Sequence, residues 1–202
     1  MTARTIAVVS AGLGNPSSTR LLADRLGAAT ARDLGRGAEV RVVDLRDHAH
    51  DLVNNLLTGF PSPALREAIE TVTGADALIV VTPIFNASYS GLFKTFFDVL
   101  EPGSVDGMPT LIAATGGSAR HSLALEHAVR PLLAYLRAAV VPTAVFAASD
   151  DWAGDADADR TLADRIDRAA GELAAVVAGR PRARAADPYD EPVPFAELLA
   201  RG

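Results

Sequence analysis

The chain has 202 residues, 49% of them apolar, a formal net charge of −6 and no cysteine. That length and apolar content suit one domain with a full core, while the missing cysteines exclude disulfides, thiolate nucleophiles and cysteine-ligated metal or iron–sulfur centres. The acidic balance, with no basic run, argues against nucleic acid as a partner. No stretch approaches the ~20 apolar residues of a membrane span, so the sequence predicts a cytoplasmic protein without a membrane segment.

Short apolar runs rich in β-branched residues alternate with helical patterns along most of the chain. Strands are predicted at about 5–10, 39–44, 76–82, 109–115 and 140–147. Helices are predicted at about 18–34, 62–73, 89–100, 121–138 and 160–178. The strands are apolar on both faces, as in a parallel sheet covered by helices on both sides. The sequence therefore predicts a flavodoxin-like α/β fold, a doubly wound five-stranded parallel sheet of strand order 2-1-3-4-5.

The chain divides by composition into a domain, residues 1–179, and a tail, residues 180–202. The tail begins RPRARAADPYDEPVPF, which is rich in proline and charge, and its FAELLA segment has the pattern of one amphipathic turn. This composition is typical of a loosely attached terminus, and a functional arm is the alternative.

The turn VVSAGLGNPSST joins the first strand to the first helix, where α/β proteins commonly bind phosphate. It lacks the third glycine of a dinucleotide fingerprint, because Ser17 follows Gly12 and Gly14, and it lacks the lysine of a Walker A loop. It does supply hydroxyl groups near a helix N-terminus, which predict a cradle for one phosphate: Ser10, Ser17, Ser18 and Thr19. The alternative is that Ser17 or Ser18 only caps the helix.

The loops after the third and fourth predicted strands carry groups suited to a flat ring. Pro83 stiffens the first of these loops, Phe85 offers an aromatic edge, and the Asn86 amide both donates and accepts, as the edge of a heterocycle requires. The second loop, 115–117, reads Thr-Gly-Gly and leaves room for a ring. With the phosphate cradle, the three loops outline a site for a mononucleotide with a flat head.

Two helices have unusual sequences. Helix 89–100 is apolar all round and holds three phenylalanines, so it lies either in the core or, as we predict, in a subunit interface. Helix 121–138 contains Pro131, which cannot donate a hydrogen bond to the carbonyl of His127. We expect that helix to kink or widen there, a defect often found at functional sites.

Taken together, the motifs S-x6-S-S-T, T-P-I-F-N-x-S-Y-S-G-x-F-K and A-T-G-G-S-A-R-H-S-L resemble the NAD(P)H-dependent FMN reductase family. Within it, the chain is similar over residues 4–178 to the reductase partners of two-component flavin monooxygenases of the alkanesulfonate type. The resemblance implies that the FMN phosphate binds at Ser10, Ser17, Ser18 and Thr19. It implies that the flavin ring lies between two sets of residues, Pro83, Ile84, Phe85 and Asn86 on one side and Thr115, Gly116 and Gly117 on the other.

The resemblance also implies an activity, transfer of a hydride from NADPH or NADH to FMN, with reduced flavin passing to a partner monooxygenase. The cofactors carry this chemistry, so no catalytic side chain is expected. No metal site is predicted either, because His48 and His50 stand in a polar loop. Alternatives are a quinone or azo-compound reductase with permanently bound FMN, and a non-enzymatic electron carrier of the flavodoxin type.

The resemblance further implies a homodimer or homotetramer, which we expect to form through helix 89–100. Arg120 and His127 are candidate contacts with flavin or with a second subunit. Many relatives have tyrosine where this chain has Phe85, and the resembling sulfonate reductases have an aromatic residue where it has His127. A phenol hydrogen bond and aromatic stacking are therefore not expected at these two positions.

Overall fold

The computed structural model describes residues 4–152 and 156–179. Within them, seven strands form one sheet: β1 (Arg4–Ser10), β2 (Ala38–Asp44), β3 (Ala77–Phe85), β4 (Ser88–Tyr89), β5 (Pro109–Gly116), β6 (Ala139–Val140) and β7 (Val145–Ala148). The predicted tail, 180–202, lies outside the described residues. The boundary that we predict at residue 179 therefore stays a prediction.

The sheet has the predicted doubly wound topology. Strands β2, β1, β3 and β5 are parallel neighbours in that order, and β6 and β7 both pair with β5. Counting the principal strands alone, this is the order 2-1-3-4-5. The number of strands differs, because β4 adds a short antiparallel hairpin to β3 and the single strand predicted at 140–147 is divided. Pro142 accounts for the division, since it has no N–H to donate to a ladder.

The helices within the described residues are α1 (Ser18–Leu34), α2 (Ala49–Thr58), α3 (Pro63–Thr73), α4 (Gly91–Asp98), α5 (Arg130–Tyr135) and α6 (Ala156–Ala178). Helix α2 lies in a segment that the sequence analysis treats as a loop. Helix α4 begins at Gly91 rather than at residue 89, because Ser88 and Tyr89 pair with β3. No helix in the described part of the chain is both long and apolar enough to cross a membrane.

The predicted helix 121–138 is interrupted, as Pro131 led us to expect. A 3-10 turn, Ala119–His121, is followed by a π-helical turn, Leu125–Val129, and only then by α5. Pro131 occupies the first turn of α5, where a missing N–H leaves no hydrogen bond unmade. The expected widening is confirmed, and His127 lies within it.

Apolar side chains cover both faces of the sheet. Helices α1 and α6 pack on one face, and α2, α3, α4 and the π-helical turn pack on the other. Phe93, Phe96 and Phe97 of α4 are buried in the core of their own chain, where each contributes about 1.5–3 kcal/mol. Of the two expectations for this helix, core or subunit interface, these phenylalanines fit the core, and they do not need a partner subunit to cover them. Assembly through α4 stays a prediction.

Candidate functional site at the carboxyl edge of the sheet

The three predicted loops follow β1, β3 and β5, which are neighbours in the sheet. Ser10, the last residue of β1, is aligned with Val81 of β3, and Pro83 of β3 is aligned with Thr115 of β5. The strands are parallel, so their carboxyl ends lie at one edge of the sheet, which is where ligands bind in such folds. The topology therefore brings the three loops together.

A buried hydrogen bond joins the first loop to the third. The hydroxyl oxygens of Thr19 and Thr115 lie 2.8 Å apart, and the two residues are only 3% and 4% exposed. Thr19 stands in the first turn of α1 and Thr115 near the end of β5. This bond fixes the start of α1 over the carboxyl end of β5.

The first loop folds tightly onto the start of α1. Ser17 is the N-cap of α1, and its hydroxyl accepts a hydrogen bond from the Arg20 amide at 3.2 Å. Ser17 therefore caps α1, while Ser18 is exposed, and the phosphate contacts of both serines stay predictions. Gly12 is required here, because a Cβ on it would lie 2.2 Å from Ser17 Oγ and 3.0 Å from Thr19 Cβ. This close packing was not predicted from the sequence.

Ser10 has the most unusual environment among the predicted phosphate ligands. It is fully buried, and its hydroxyl has no hydrogen-bond partner among the described residues. A buried polar group left unpaired costs about 1–3 kcal/mol, so a hydroxyl in this position calls for a partner. A donor at the end of β1, beside the free amides that begin α1, fits the phosphate of a bound nucleotide.

The second loop is a tight hairpin between β3 and β4. Phe85 pairs with Ser88, and the two residues between them, Asn86 and Ala87, have positive φ values of 49° and 70°. Two such residues form the type I′ turn that suits a two-residue hairpin. The hairpin exposes Asn86 together with Phe85, which is 46% exposed.

Hydrogen bonds anchor the base of this hairpin. The buried hydroxyl of Thr82 donates to the Pro83 carbonyl at 3.0 Å and accepts from the Ser90 amide at 3.0 Å. Ser90 in turn caps α4, because its hydroxyl accepts from the Phe93 amide at 3.2 Å. Thr82 was not predicted as a site residue, although its position at the end of an apolar strand beside the predicted loop was an available signal.

The two glycines of the third loop have different surroundings. A Cβ on Gly116 would lie 2.9 Å from Cζ of Phe146, so this position must be small for packing. A Cβ on Gly117 would meet no atom within 4 Å, so this residue borders open space. The open space in this loop lies beside Gly117, and a flavin ring there stays a prediction. Phe146, which was not predicted, packs against Gly116.

Arg120 and His127 are both exposed, and they lie on different elements. Arg120 belongs to the 3-10 turn that follows the third loop, and His127 belongs to the π-helical turn. The π-helical turn packs against β4 and β5, so it borders the hairpin of the second loop. The structure brings this turn to the edge of the site, and the roles of both side chains stay predictions.

Arg20 adds a charge to the edge of the first loop. Its guanidinium binds the carboxylates of Asp24 at 2.8 Å and Asp44 at 3.4 Å. The hydrogen bond to Asp24 raises the pKa of Arg20, and Asp44 adds to the effect although partial burial opposes it. The guanidinium thus stays protonated, but its charge is already balanced by two carboxylates.

A parallel sheet of this order, with a hydroxyl- and amide-bearing turn after its first strand, defines a flavodoxin-like nucleotide-binding protein. A family model described as NADPH-dependent FMN reductase matches residues 4–153. The chain therefore belongs to this family.

Relatives agree with that assignment. The chain is 33% identical to an FMN reductase (NADPH) of Pseudomonas aeruginosa, over 87% of this chain and 93% of the relative. It is 36% identical to the NADH-dependent FMN reductase SfnF of Pseudomonas fluorescens, over 86% and 91%. A solved oxidoreductase of Corynebacterium diphtheriae superposes with a TM-score of 0.85 at 46% identity, covering 90% of this chain and all (100%) of that one.

Proposed function

We propose that the protein is an NAD(P)H-dependent FMN reductase that supplies reduced flavin to a flavin-dependent monooxygenase. Beyond membership of the family, one observation carries the proposal for this chain. The buried hydroxyl of Ser10 has no partner among the described residues, at the strand end where a flavin phosphate would be bound.

The chain's own residues divide the binding between phosphate and ring. The phosphate would be held by the hydroxyls and amides around the start of α1, which are those of Ser10, Ser17, Ser18 and Thr19. The ring would lie between the hairpin residues, Pro83, Ile84, Phe85 and Asn86, and the small turn Thr115, Gly116 and Gly117. Ser17 would serve twice, because its hydroxyl oxygen caps α1 while its O–H remains free to donate.

Bound FMN supplies a ring that accepts a hydride from the nicotinamide, so the protein's task is to bind and orient two substrates. Two paired residues on each strand hold the base of the hairpin and so fix the backbone of Asn86, whose amide would contact the ring edge. Pro83 of β3 and Thr115 of β5 are aligned and buried, and they would form the inner wall of the ring site. No side chain is assigned a proton-transfer role.

Release of reduced flavin to a partner requires an accessible site. Phe85, Asn86 and Gly117 are all exposed, so the site opens to solvent on the side where a nicotinamide would approach. The proposal therefore treats FMN as an exchangeable substrate, and NADPH or NADH as the donor. It includes a cytoplasmic location, because reduced nicotinamide cofactors are cytoplasmic metabolites.

A serine-to-alanine replacement tests the site. Ser10→Ala removes a hydroxyl that is unpaired without ligand, so the free energy of unfolding of the apoprotein should stay constant or rise, while FMN binding weakens by about 1–3 kcal/mol. Ser104→Ala is the matched control, because Ser104 Oγ is also buried and unpartnered among the described residues but lies on another loop. Equal FMN affinity in wild type and Ser10→Ala, measured by calorimetry, would contradict the site.

Anaerobic turnover tests the function. The protein is mixed with an excess of FMN and either NADPH or NADH, and loss of the oxidised flavin absorbance is followed. Reduction of many FMN equivalents per protein is expected and would exclude a non-enzymatic carrier. Loss of yellow colour on gel filtration would in addition exclude an enzyme with permanently bound flavin. Reduction of a single equivalent would instead favour the quinone or azo-compound reductase and carrier alternatives, and no reduction with either donor would reject the reductase.

A further inference from the structure

A groove of about 550 Å³ lies beside the phosphate loop, on the side of the edge strand β2. Gly14, Asn15 and Ser17 of the loop line it together with Asp44 at the end of β2. Residues of α1 and of the turn Leu45–His48 complete the lining. Strands β3 and β5, whose loops would contact the flavin ring, lie on the other side of β1. The groove thus begins where the flavin phosphate would be held and leads away from the ring.

Two arginines, Arg20 and Arg46, and three aspartates, Asp24, Asp44 and Asp47, line the groove, and Arg46 is the arginine without a carboxylate partner among the described residues. Arg20 lines it but is paired with Asp24 and Asp44. Arg46, in the turn directly after β2, is exposed, and its guanidinium makes no hydrogen bond or ion pair with another described residue. A guanidinium in a groove that continues from a phosphate loop is suited to a second phosphate.

The groove that Arg46 lines also contains a hydrogen-bond acceptor, Asp44, and an apolar side chain, Leu21. The Oδ1 atom of Asp44 is shielded from solvent without a hydrogen-bond partner among the described residues. A carboxylate at a strand end beside a phosphate loop is placed to accept hydrogen bonds from ribose hydroxyls. Leu21, 45% exposed, adds an apolar contact suited to a base. The groove therefore offers partners for phosphate, ribose and base.

We propose that this groove binds the phosphorylated adenosine moiety of a dinucleotide substrate, with Arg46 on a phosphate and Asp44 on a ribose. The inference rests on the proposed function, since it takes the neighbouring loop to hold a flavin phosphate. Two substrates carry this chemistry. One is FAD, whose AMP half is attached through the flavin phosphate, and the other is NADPH, whose adenosine carries a 2′-phosphate.

The experiment compares Arg46→Gln with the wild type and with Arg36→Gln. Arg36 is the matched control, because it is an exposed arginine at the opposite end of β2. In the first arm, oxidised FMN and FAD are titrated by calorimetry without any donor. In the second arm, KM is measured for NADPH and for NADH with FMN as the flavin, and calorimetry with NADP⁺ and NAD⁺ repeats the comparison without turnover.

The flavin titrations and the nicotinamide measurements distinguish FAD from NADPH as the ligand of the groove. If the groove takes the AMP half of FAD, Arg46→Gln weakens FAD binding about tenfold and leaves FMN binding unchanged. If it takes the adenosine of NADPH, the same variant raises KM for NADPH about tenfold, weakens NADP⁺ binding, and leaves NADH and NAD⁺ unchanged. Arg36→Gln should change none of these values.

The proposal is overturned if Arg46→Gln changes neither the affinity for FAD relative to FMN nor the affinity for NADPH relative to NADH. It is also overturned if FMN and NADH lose as much affinity as FAD and NADPH, because Arg46 would then act on the flavin site itself. Failure of the proposed function has a different signature, absence of FMN reduction by the wild type with both donors. The calorimetric comparison of FMN with FAD would still test the groove in that case.

Discussion

Thr19 and Thr115 are 96 residues apart in the chain, and their hydroxyl oxygens form a 2.8 Å hydrogen bond in the interior. The bond connects the first turn of α1 with the end of β5, two elements that each carry a loop of the candidate site. Its partners are nearly excluded from solvent, so either hydroxyl would be left unpaired without the other. The site therefore depends on a contact that no local segment provides.

A double-mutant cycle should reveal this coupling. Thr19→Val or Thr115→Val alone should lower the free energy of unfolding by about 1–3 kcal/mol, because each leaves one buried hydroxyl unpaired. The double variant should lose clearly less free energy of unfolding than the sum of the two single losses. As a control, Thr30→Val removes the hydroxyl that bonds the Leu26 carbonyl within α1, and its cost should add to that of Thr19→Val. Urea denaturation measures all six proteins, the Thr19→Val/Thr30→Val double variant included, and additive costs for the Thr19–Thr115 pair would contradict the coupling.

Replacement of Gly12 should disturb both the fold and ligand binding. The new Cβ of Gly12→Ala would lie 2.2 Å from Ser17 Oγ, so Ser17 must rotate away and release its cap on α1. Loss of an N-cap costs about 0.5–2 kcal/mol, and FMN affinity should fall together with stability.

Gly91→Ala is the control for that replacement, since a Cβ there meets no atom within 4 Å and alanine suits the start of α4. Thermal denaturation and FMN calorimetry compare the two variants. An unchanged melting temperature for Gly12→Ala would show that the loop tolerates a side chain at this position.

Ala87 stores backbone strain at the tip of the site hairpin. Its φ of 70° lies in the left-handed region, which costs an alanine roughly 1–2 kcal/mol relative to glycine. Ala87→Gly should therefore stabilise the protein by about 1 kcal/mol, as measured by urea denaturation. Ala28→Gly, on the exposed side of α1, should have the opposite sign, about 1 kcal/mol of destabilisation. A loss of stability in Ala87→Gly would argue against this turn geometry.

The ion pair of Glu126 and Arg130 should make stability depend on pH. Arg130 binds both carboxylate oxygens at 2.6 and 2.9 Å and also donates to the carbonyls of Val141 and Pro142. Its hydrogen bonds hold the pKa of Glu126 below the usual value, with His127 adding a smaller effect and partial burial opposing both. A carboxyl with a lowered pKa stabilises the fold above its unfolded pKa of about 4.3 and loses that contribution as pH falls through the folded pKa.

The measurement is urea denaturation of wild type and Glu126→Gln between about pH 6 and about pH 3. The stability difference between the two should be largest at the higher pH and should vanish at the lower. Glu126 is partly exposed, so the difference should be small. Glu70→Gln, at an exposed glutamate of α3 without a side-chain hydrogen bond among the described residues, should show no such trend. A difference that does not change with pH would contradict the ion pair.

Much of the architecture could be predicted from local patterns. The apolar runs located the principal strands, their burial on both faces indicated a parallel sheet, and Pro131 indicated the widened turn. Helix α2 was not predicted because it begins within the polar stretch RDHAHD and buries only Leu52 and Asn55. The β4 hairpin was not predicted because Ala87 occupies a turn position that usually carries glycine.

The amino-acid sequence by itself determined the alternation of the principal strands and helices, the positions of the three site loops and the residue types available there, since these follow from side-chain periodicity and turn chemistry within short segments. Only the tertiary structure decided which of those residues are engaged. It left Ser10 unpaired among the described residues, joined Thr19 to Thr115, and enclosed the phenylalanines of α4 in the core. The reason is physical: burial and hydrogen-bond partners come from residues far away in the chain, which meet only when the sheet assembles.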